Sequence, residues 1–125
     1  MPSTILVVDD DPVILQLLQV SFEMDGFAVL TAADGAEGVA MARRERPDVV
    51  VSDVMMPRMS GLELLAELKG DPDTAGIPVL LLSAKAQNND VSGGLDAGAD
   101  DYVTKPFEPL DLLDRVTRLL AARPS

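Results

Sequence analysis

The chain has 125 residues, which is enough for one domain with one hydrophobic core. Its net charge of −11 argues against direct contact with nucleic acid, because phosphate binding needs a basic surface. It contains neither Cys nor His, which excludes disulfides, thiol chemistry, His-based catalysis and a phosphohistidine carrier. Since there is no basic leader and no apolar run of membrane length, we expect a cytoplasmic protein without membrane contact.

The first half of the chain alternates short apolar strands with helical patterns. A strand is predicted over 4–8, and Asp11 caps a helix that begins at Pro12. A second strand is predicted over 27–31, followed by a helix that Asp34 caps. Apolar residues recur at helical spacing in the first helix, namely Val13, Leu17, Val20 and Met24.

The centre of the chain carries the strongest strand signal. Three valines at 49–51 precede Ser52 and Asp53, and such a β-branched run indicates a strand buried on both faces. Ser60 and Glu63 form a capping box that opens a helix over 61–69. We therefore expect Asp53 at the carboxyl end of a buried strand, where open α/β sheets bind their ligands.

The second half continues the alternation. A fourth strand is predicted over 79–82 and ends at Ser83, and a weak helix with two interior glycines follows over 88–97. A fifth strand over 101–103 leads to Lys105, and Pro109 opens a final helix. Five strands alternating with five helices predict a single-domain α/β fold over residues 1–125, doubly wound around a mostly parallel sheet. No output domain is expected within this length.

Polar side chains follow four of the five predicted strands. Because the carboxyl ends of parallel strands share one edge of a sheet, these residues should converge; they are Asp9, Asp10, Asp53, Ser83 and Lys105. Close carboxylates ionise together only around a cation, and oxygen ligands favour Mg²⁺, Mn²⁺ or Ca²⁺, with Mg²⁺ preferred at an open site. Lys105 and the Ser83 hydroxyl could then hold a dianionic group such as phosphoryl.

The chain resembles the receiver domain of bacterial two-component response regulators, including the chemotaxis regulators, from about Thr4 to Leu120. The resemblance rests on motifs in a fixed order: Ile5-Leu6-Val7-Val8-Asp9-Asp10-Asp11-Pro12, Asp34-Gly35, Asp53-Val54-Met55-Met56-Pro57, Ser60-Gly61, Ser83-Ala84, Gly98-Ala99-Asp100-Asp101-Tyr102 and Lys105-Pro106-Phe107. It implies a flavodoxin-like sheet with strand order 2-1-3-4-5. One departure is Gly38, where the family often has Ala, which should weaken that helix by about 1 kcal/mol.

The resemblance also implies roles at the phosphorylation site. Asp53 would be the phosphoacceptor, and Asp10, Asp53 and the backbone carbonyl of Met55 would bind Mg²⁺, with Mn²⁺ as a possible substitute. Asp9 would act through a metal-bound water. Lys105 would pair with the phosphoryl group.

The remaining implied roles concern the response to phosphorylation and access to the site. Ser83 and Tyr102 would change position together as a switch, while the small Ala84 would leave the phosphate reachable. The peptide bond before Pro106 would be cis. The signal would leave through the weak helix over 88–97, the fifth strand and the last helix.

The implied protein is a signalling module and not a turnover enzyme. Its partners would be a sensor histidine kinase or a His-containing phosphotransfer protein, and a downstream target or a covalently linked output domain. It would be a monomer or a weak phosphorylation-dependent dimer. One alternative is a degenerate receiver that serves as a constitutive binding module. Another is an aspartyl-phosphate hydrolase, which is disfavoured because Met55 stands where such enzymes need a second Asp.

Overall fold

The computed structural model describes residues 3–84 and 98–122. Its elements follow the alternation that the sequence predicts: β1 (Thr4–Val8), α1 (Pro12–Met24), β2 (Ala28–Ala32), α2 (Gly35–Glu45), β3 (Val49–Asp53), α3 (Gly61–Lys69), β4 (Val79–Ala84), β5 (Asp101–Lys105) and α4 (Pro109–Ala122). The predicted helix over 88–97 lies outside the described residues, so four of the five predicted helices can be compared with the structure.

The five strands form one parallel sheet in the order β2-β1-β3-β4-β5. This confirms the doubly wound α/β fold and the flavodoxin-like strand order. Every residue of β3, the central strand, is buried, as the run of valines predicts. Three strands differ in their bounds from the sequence-based prediction: β2 begins and ends one residue later, β4 continues through Ala84, and β5 continues through Lys105.

The core consists of two apolar layers, one on each face of the sheet. Residues of α2 and α3 pack on one face, and residues of α1 and α4 pack on the other. Helix starts match their capping signals: the side chain of Asp34 accepts a hydrogen bond from the Glu37 amide, and Ser60 and Glu63 form the capping box. The caps fix where α2 and α3 begin next to the sheet edge.

Helix α1 buries a different face from the one marked by its recurring apolar residues. Leu18 and Phe22 are fully buried against the sheet. The recurring residues instead form an exposed row, which we name the α1 stripe and which consists of Val13, Leu17, Val20 and Met24. Val13 is 70% exposed and Met24 is 83% exposed. The apolar spacing therefore predicted the helix correctly but marks the side that faces away from the core.

Candidate functional site

The carboxyl ends of the strands meet at one edge of the sheet and bring the predicted residues together. Val8 pairs with Ser52, Asp53 pairs with Leu82, and Ala84 pairs with Lys105. Asp9 therefore follows β1 at the level where β3 ends in Asp53, and Lys105 ends β5 two strands away from Asp53. This register confirms the expected convergence at the edge.

Backbone contacts hold Asp9 at this edge. Its amide donates a hydrogen bond to the carbonyl of Ala32 over 3.1 Å, which extends the pairing of β1 with β2 by one residue. Its Oδ1 atom accepts a hydrogen bond from the Asp11 amide at 2.9 Å. Asp11 in turn caps α1, because its side chain accepts from the Val13 amide. The start of α1 and the Asp9 carboxylate are thus fixed relative to each other.

Lys105 is the cation that faces the acidic residues. Its Nζ atom lies 3.1 Å from Oδ2 of Asp53 and 3.8 Å from Oδ2 of Asp9. Both carboxylates are buried, whereas the Lys105 side chain is partly exposed. Burial raises the pKa of the Asp9 carboxyl from 3.8 to about 6; the Asp11 amide opposes the shift, and the negative charge of Asp53 adds to it.

The acidic residues fit a divalent cation. Asp9, Asp10 and Asp53 each offer a carboxylate oxygen, and these atoms lie within 4.8 Å of one another. Oδ2 of Asp9 is buried and has no hydrogen-bond partner among the described residues. Such an atom is costly unless a cation or water satisfies it. Asp10 is exposed, so the cluster is open to solvent on one side. An open cluster of oxygen ligands suits Mg²⁺, which keeps several of its waters.

The other predicted residues belong to β4, to β5 or to the residue that follows β5. Ser83 is buried in β4, one position beyond Leu82, the partner of Asp53. Tyr102 is also buried, and its hydroxyl finds no hydrogen-bond partner in the described part of the chain. The peptide bond between Lys105 and Pro106 is cis. The Ala84 side chain lies outside the described residues.

A comparison with protein families identifies the family of this chain. The sequence model of the response regulator receiver domain family matches residues 5–117. The chain belongs to the response regulator receiver family.

This receiver domain has close relatives among sequences and structures. TcrX, a probable transcriptional regulatory protein of Mycobacterium tuberculosis, is 49% identical over 119 residues, which cover 95% of this chain and 50% of TcrX. A putative response regulator from Chloroflexus aurantiacus superposes with a TM-score of 0.92 at 36% identity, covering 97% of this chain and 99% of that one. The chain spans about half the length of the curated relatives it matches.

A third relative bears on the metal. The receiver domain of a sensor histidine kinase from Pseudomonas aeruginosa superposes with a TM-score of 0.89 at 29% identity, covering 98% of this chain and 100% of that one. That structure contains a magnesium ion coordinated in its active-site cleft.

The remaining expectations concern membranes and nucleic acid. Within residues 3–84 and 98–122, no helix combines the length and the apolar character needed to cross a membrane. Because TcrX is named as a probable transcriptional regulator, the expected lack of nucleic-acid contact is unconfirmed for a longer protein of that kind and stays a prediction for these 125 residues.

Proposed function

We propose that this receiver domain accepts a phosphoryl group on Asp53 from a phosphohistidine of a sensor kinase or a phosphotransfer protein. The observation that carries the proposal is the arrangement around Asp53: its carboxylate lies 3.1 Å from Lys105 and belongs to a cluster of three carboxylates at the sheet edge. The domain would be phosphorylated and later dephosphorylated as a signal carrier, and it would not act as a turnover enzyme.

In this phosphoryl transfer the protein contributes mainly the positions and the charges of its side chains. A carboxylate oxygen of Asp53 forms a bond to phosphorus as the bond from phosphorus to the donor's imidazole nitrogen breaks. The electron pair of the broken bond returns to the imidazole. Lys105 would move from the Asp53 carboxylate to the oxygens of the phosphoryl group, where the Ser83 hydroxyl would also donate. Such preorganised donors stabilise the charge that develops during phosphoryl transfer.

The cation site would use Asp10, Asp53 and the carbonyl of Met55, with Asp9 acting through a water molecule. A bound Mg²⁺ would offset negative charge on the phosphoryl oxygens. The buried Oδ2 atom of Asp9, which has no hydrogen-bond partner among the described residues, supports a nearby cation or ordered water. Mn²⁺ has similar ligand preferences and could replace it.

The response would begin at Ser83 and Tyr102. Movement of the Ser83 hydroxyl toward a phosphoryl group would open space into which the Tyr102 ring could turn. The Tyr102 hydroxyl is buried and unpaired within the described residues, so this rotamer loses no hydrogen bond there when the ring moves. The output face would comprise β5, α4 and the predicted helix over 88–97. Similarity to transcriptional regulators of about twice this length favours a covalently linked output domain as the destination.

We also propose that the phosphoryl donor contacts the α1 stripe. Its members are spaced by four, three and four residues, which is the spacing of a seam that packs against another helix. The stripe begins at Val13, whose amide bonds to the Asp11 cap two residues beyond Asp9. A helical partner lying on it would therefore end beside the acidic cluster.

Labelling with a small phosphodonor tests the proposed function. The wild-type chain, Asp53→Asn and the exposed control Asp25→Asn would be incubated with acetyl phosphate and Mg²⁺ and weighed by intact-protein mass spectrometry. We expect one added phosphoryl group on the wild type and on Asp25→Asn, and none on Asp53→Asn or after chelation. Equal labelling of Asp53→Asn would exclude Asp53 as the acceptor. A wild type that takes no phosphate would favour the degenerate binding module.

A further inference from the structure

The segment between β3 and α3 leaves Asp53 and returns onto it. The Gly61 amide donates a hydrogen bond to the carbonyl of Val54 at 2.8 Å, so the first residue of α3 lies against the end of β3. Val54 itself donates to the carbonyl of Leu82 in β4 at 2.9 Å. The two ends of the loop over 54–60 are therefore tied to each other and to the sheet.

Gly61 permits this close return because it has no Cβ atom. A Cβ at position 61 would lie 2.3 Å from the carbonyl oxygen of Asp53 and 2.9 Å from Cα of Val54. Both atoms are backbone, so neither can rotate away as a side chain could. To reach an ordinary contact of 3.4 Å, one of the two segments would have to move by about 1 Å.

Gly35 lies against Met59, near the end of the same loop. A Cβ at position 35 would lie 2.8 Å from both Cβ and the carbonyl oxygen of Met59, and 2.9 Å from its Cγ. The Met59 amide donates to the carbonyl of Pro57 across Arg58, whose φ is 70°. Next to Gly35, the loop thus makes a tight turn with a backbone conformation that is uncommon for Arg.

We propose that Gly35 and Gly61 are positioning residues for the phosphorylation site. By allowing α2 and α3 to approach the loop without a Cβ, they set the place of the Asp53–Val54 peptide and of the Met55 carbonyl beyond it. The inference rests on the proposed function, because it assigns these backbone groups to the site that binds Mg²⁺ and phosphoryl. Mg²⁺ demands near-ideal octahedral geometry, so a shift of this backbone weakens binding.

The test compares Mg²⁺ affinity among three Gly→Ala variants. Gly35→Ala and Gly61→Ala place the new methyl against the loop. Gly76→Ala is the matched control, because a Cβ there meets no atom of the described residues within 4 Å and the glycine does not have positive φ. Calorimetric titration with MgCl₂ would be run at a temperature at which circular dichroism shows each protein folded. We expect Kd to rise roughly tenfold or more in both loop variants and to stay unchanged in Gly76→Ala.

Rescue separates positioning from a general loss of stability. Met59→Gly removes the Cβ and Cγ atoms that a methyl at position 35 would meet. Combined with Gly35→Ala, it should restore part of the Mg²⁺ affinity relative to Gly35→Ala alone, with Met59→Gly alone as the reference. If Gly61→Ala does not fold, this pair decides the proposal. A wild-type Kd in folded Gly35→Ala and Gly61→Ala would overturn it.

A metal-free measurement keeps this inference distinct from the proposed function. Amide ¹H–¹⁵N shifts of residues 54–56 should change in Gly61→Ala and Gly35→Ala and should match the wild type in Gly76→Ala. If the wild type binds no Mg²⁺ and takes no phosphate, the proposed function fails while the shifts still show whether the glycines place this backbone. Unchanged shifts in both loop variants would refute positioning even if the wild type is labelled normally.

Discussion

Lys105 faces Asp9 from 3.8 Å, a distance between Nζ and Oδ2 that is too long for a hydrogen bond. The same Nζ atom is nearer to Asp53, at 3.1 Å. The lysine thus compensates the buried Asp9 charge incompletely, which agrees with a pKa that burial raises to about 6. In the absence of metal, ionised Asp9 therefore lowers the free energy of unfolding.

Asp9→Asn should therefore stabilise the metal-free protein at neutral and alkaline pH. A folded-state pKa above the unfolded value of 3.8 means that protons stabilise the fold. That contribution is full below pH 3.8, is lost as pH rises to about 6, and is absent above. From the size of this shift, the deficit above pH 6 is at most about 3 kcal/mol.

Urea unfolding in chelator at pH 8 and at pH 3.5 measures this effect. Asn keeps an oxygen that can accept the Asp11 amide and removes the negative charge, while its NH2 group takes the place of Oδ2 at both pH values. We expect a clear gain at pH 8 that disappears at pH 3.5, and a smaller effect for the exposed Asp10→Asn. If Asp9→Asn were no more stable than the wild type at pH 8, the buried charge would not be the destabilising feature.

Lys69 should stabilise the fold at the opposite edge of the sheet. Its Nζ atom donates to the carbonyls of Ala75 and Ile77 at 3.2 and 3.0 Å and to Oδ2 of Asp100 at 3.3 Å. Asp100 also accepts from the Val79 amide at 2.8 Å. The lysine joins the end of α3 to the segments that precede β4 and β5.

Lys69→Met keeps the apolar stem and removes these three bonds. The side chain is 24% exposed, so water replaces part of what is lost, and we expect a cost of about 2 kcal/mol. Arg118→Met is the control, because Arg118 is 75% exposed and pairs only with Asp114 among the described residues. It should cost less than about 0.5 kcal/mol. Equal losses in urea unfolding would show that the Lys69 contacts contribute no more than a surface pair.

The sequence predicted the elements well because local signals agree with the fold. Caps and prolines mark the helix starts, and the valine run marks a strand whose residues are all buried. The convergence of Asp9, Asp53 and Lys105 was predictable for the same reason: each lies at or just after the carboxyl end of a strand, and strands in a parallel sheet end on one edge.

What the sequence did not reveal depends on contacts between distant residues. Helix α1 has apolar residues on two sides, and periodicity alone does not tell which side packs on the sheet. The bond between Lys69 and Asp100 joins residues 31 positions apart. Gly35 and Gly61 stood in the motifs Asp34-Gly35 and Ser60-Gly61, but a motif does not show which backbone atoms a missing Cβ would meet. The exposed Asp10 and buried Asp9 are likewise adjacent in sequence and differ only in the structure.

Gly38 shows how packing can outweigh helix propensity. Replacing an interior Gly by Ala should stabilise a helix by about 1 kcal/mol. In α2, however, a Cβ at position 38 would lie 2.9 Å from Cγ2 of Val8 and 3.0 Å from Cδ1 of Leu64. Val8 is β-branched and fully buried, so its methyl groups have little freedom to move.

We predict that Gly38→Ala gains stability only when Val8 is shortened. A double-mutant cycle of Gly38→Ala and Val8→Ala, followed by urea unfolding, should give a favourable coupling of about 1 kcal/mol. Gly38→Ala alone should be neutral or destabilising. If the two substitutions change the free energy of unfolding additively, α2 shifts freely away from β1, and the only effect of Gly38 is to lower helix propensity.

The last prediction concerns contact between the α1 stripe and the phosphoryl donor. Val13 and Leu110 form a matched pair: each is an exposed apolar residue at the second position of a helix that begins with proline. A Glu at this position interacts favourably with the helix dipole, so Val13→Glu and Leu110→Glu should both fold stably. They differ in location, because Val13 belongs to the stripe that begins beside the acidic cluster and Leu110 lies on α4.

Phosphotransfer from a histidine kinase that labels the wild type should distinguish the two variants. We expect kcat/KM for transfer to Val13→Glu to fall roughly tenfold, because a charge at an apolar contact next to the acidic cluster costs on the order of 1–2 kcal/mol of binding. Transfer to Leu110→Glu should be close to wild type. Acetyl phosphate needs no docking surface, so it should label all three proteins at one rate. A kinase that phosphorylates Val13→Glu as fast as the wild type would place the docking surface elsewhere, while a loss with both donors would point to damage at Asp53 itself.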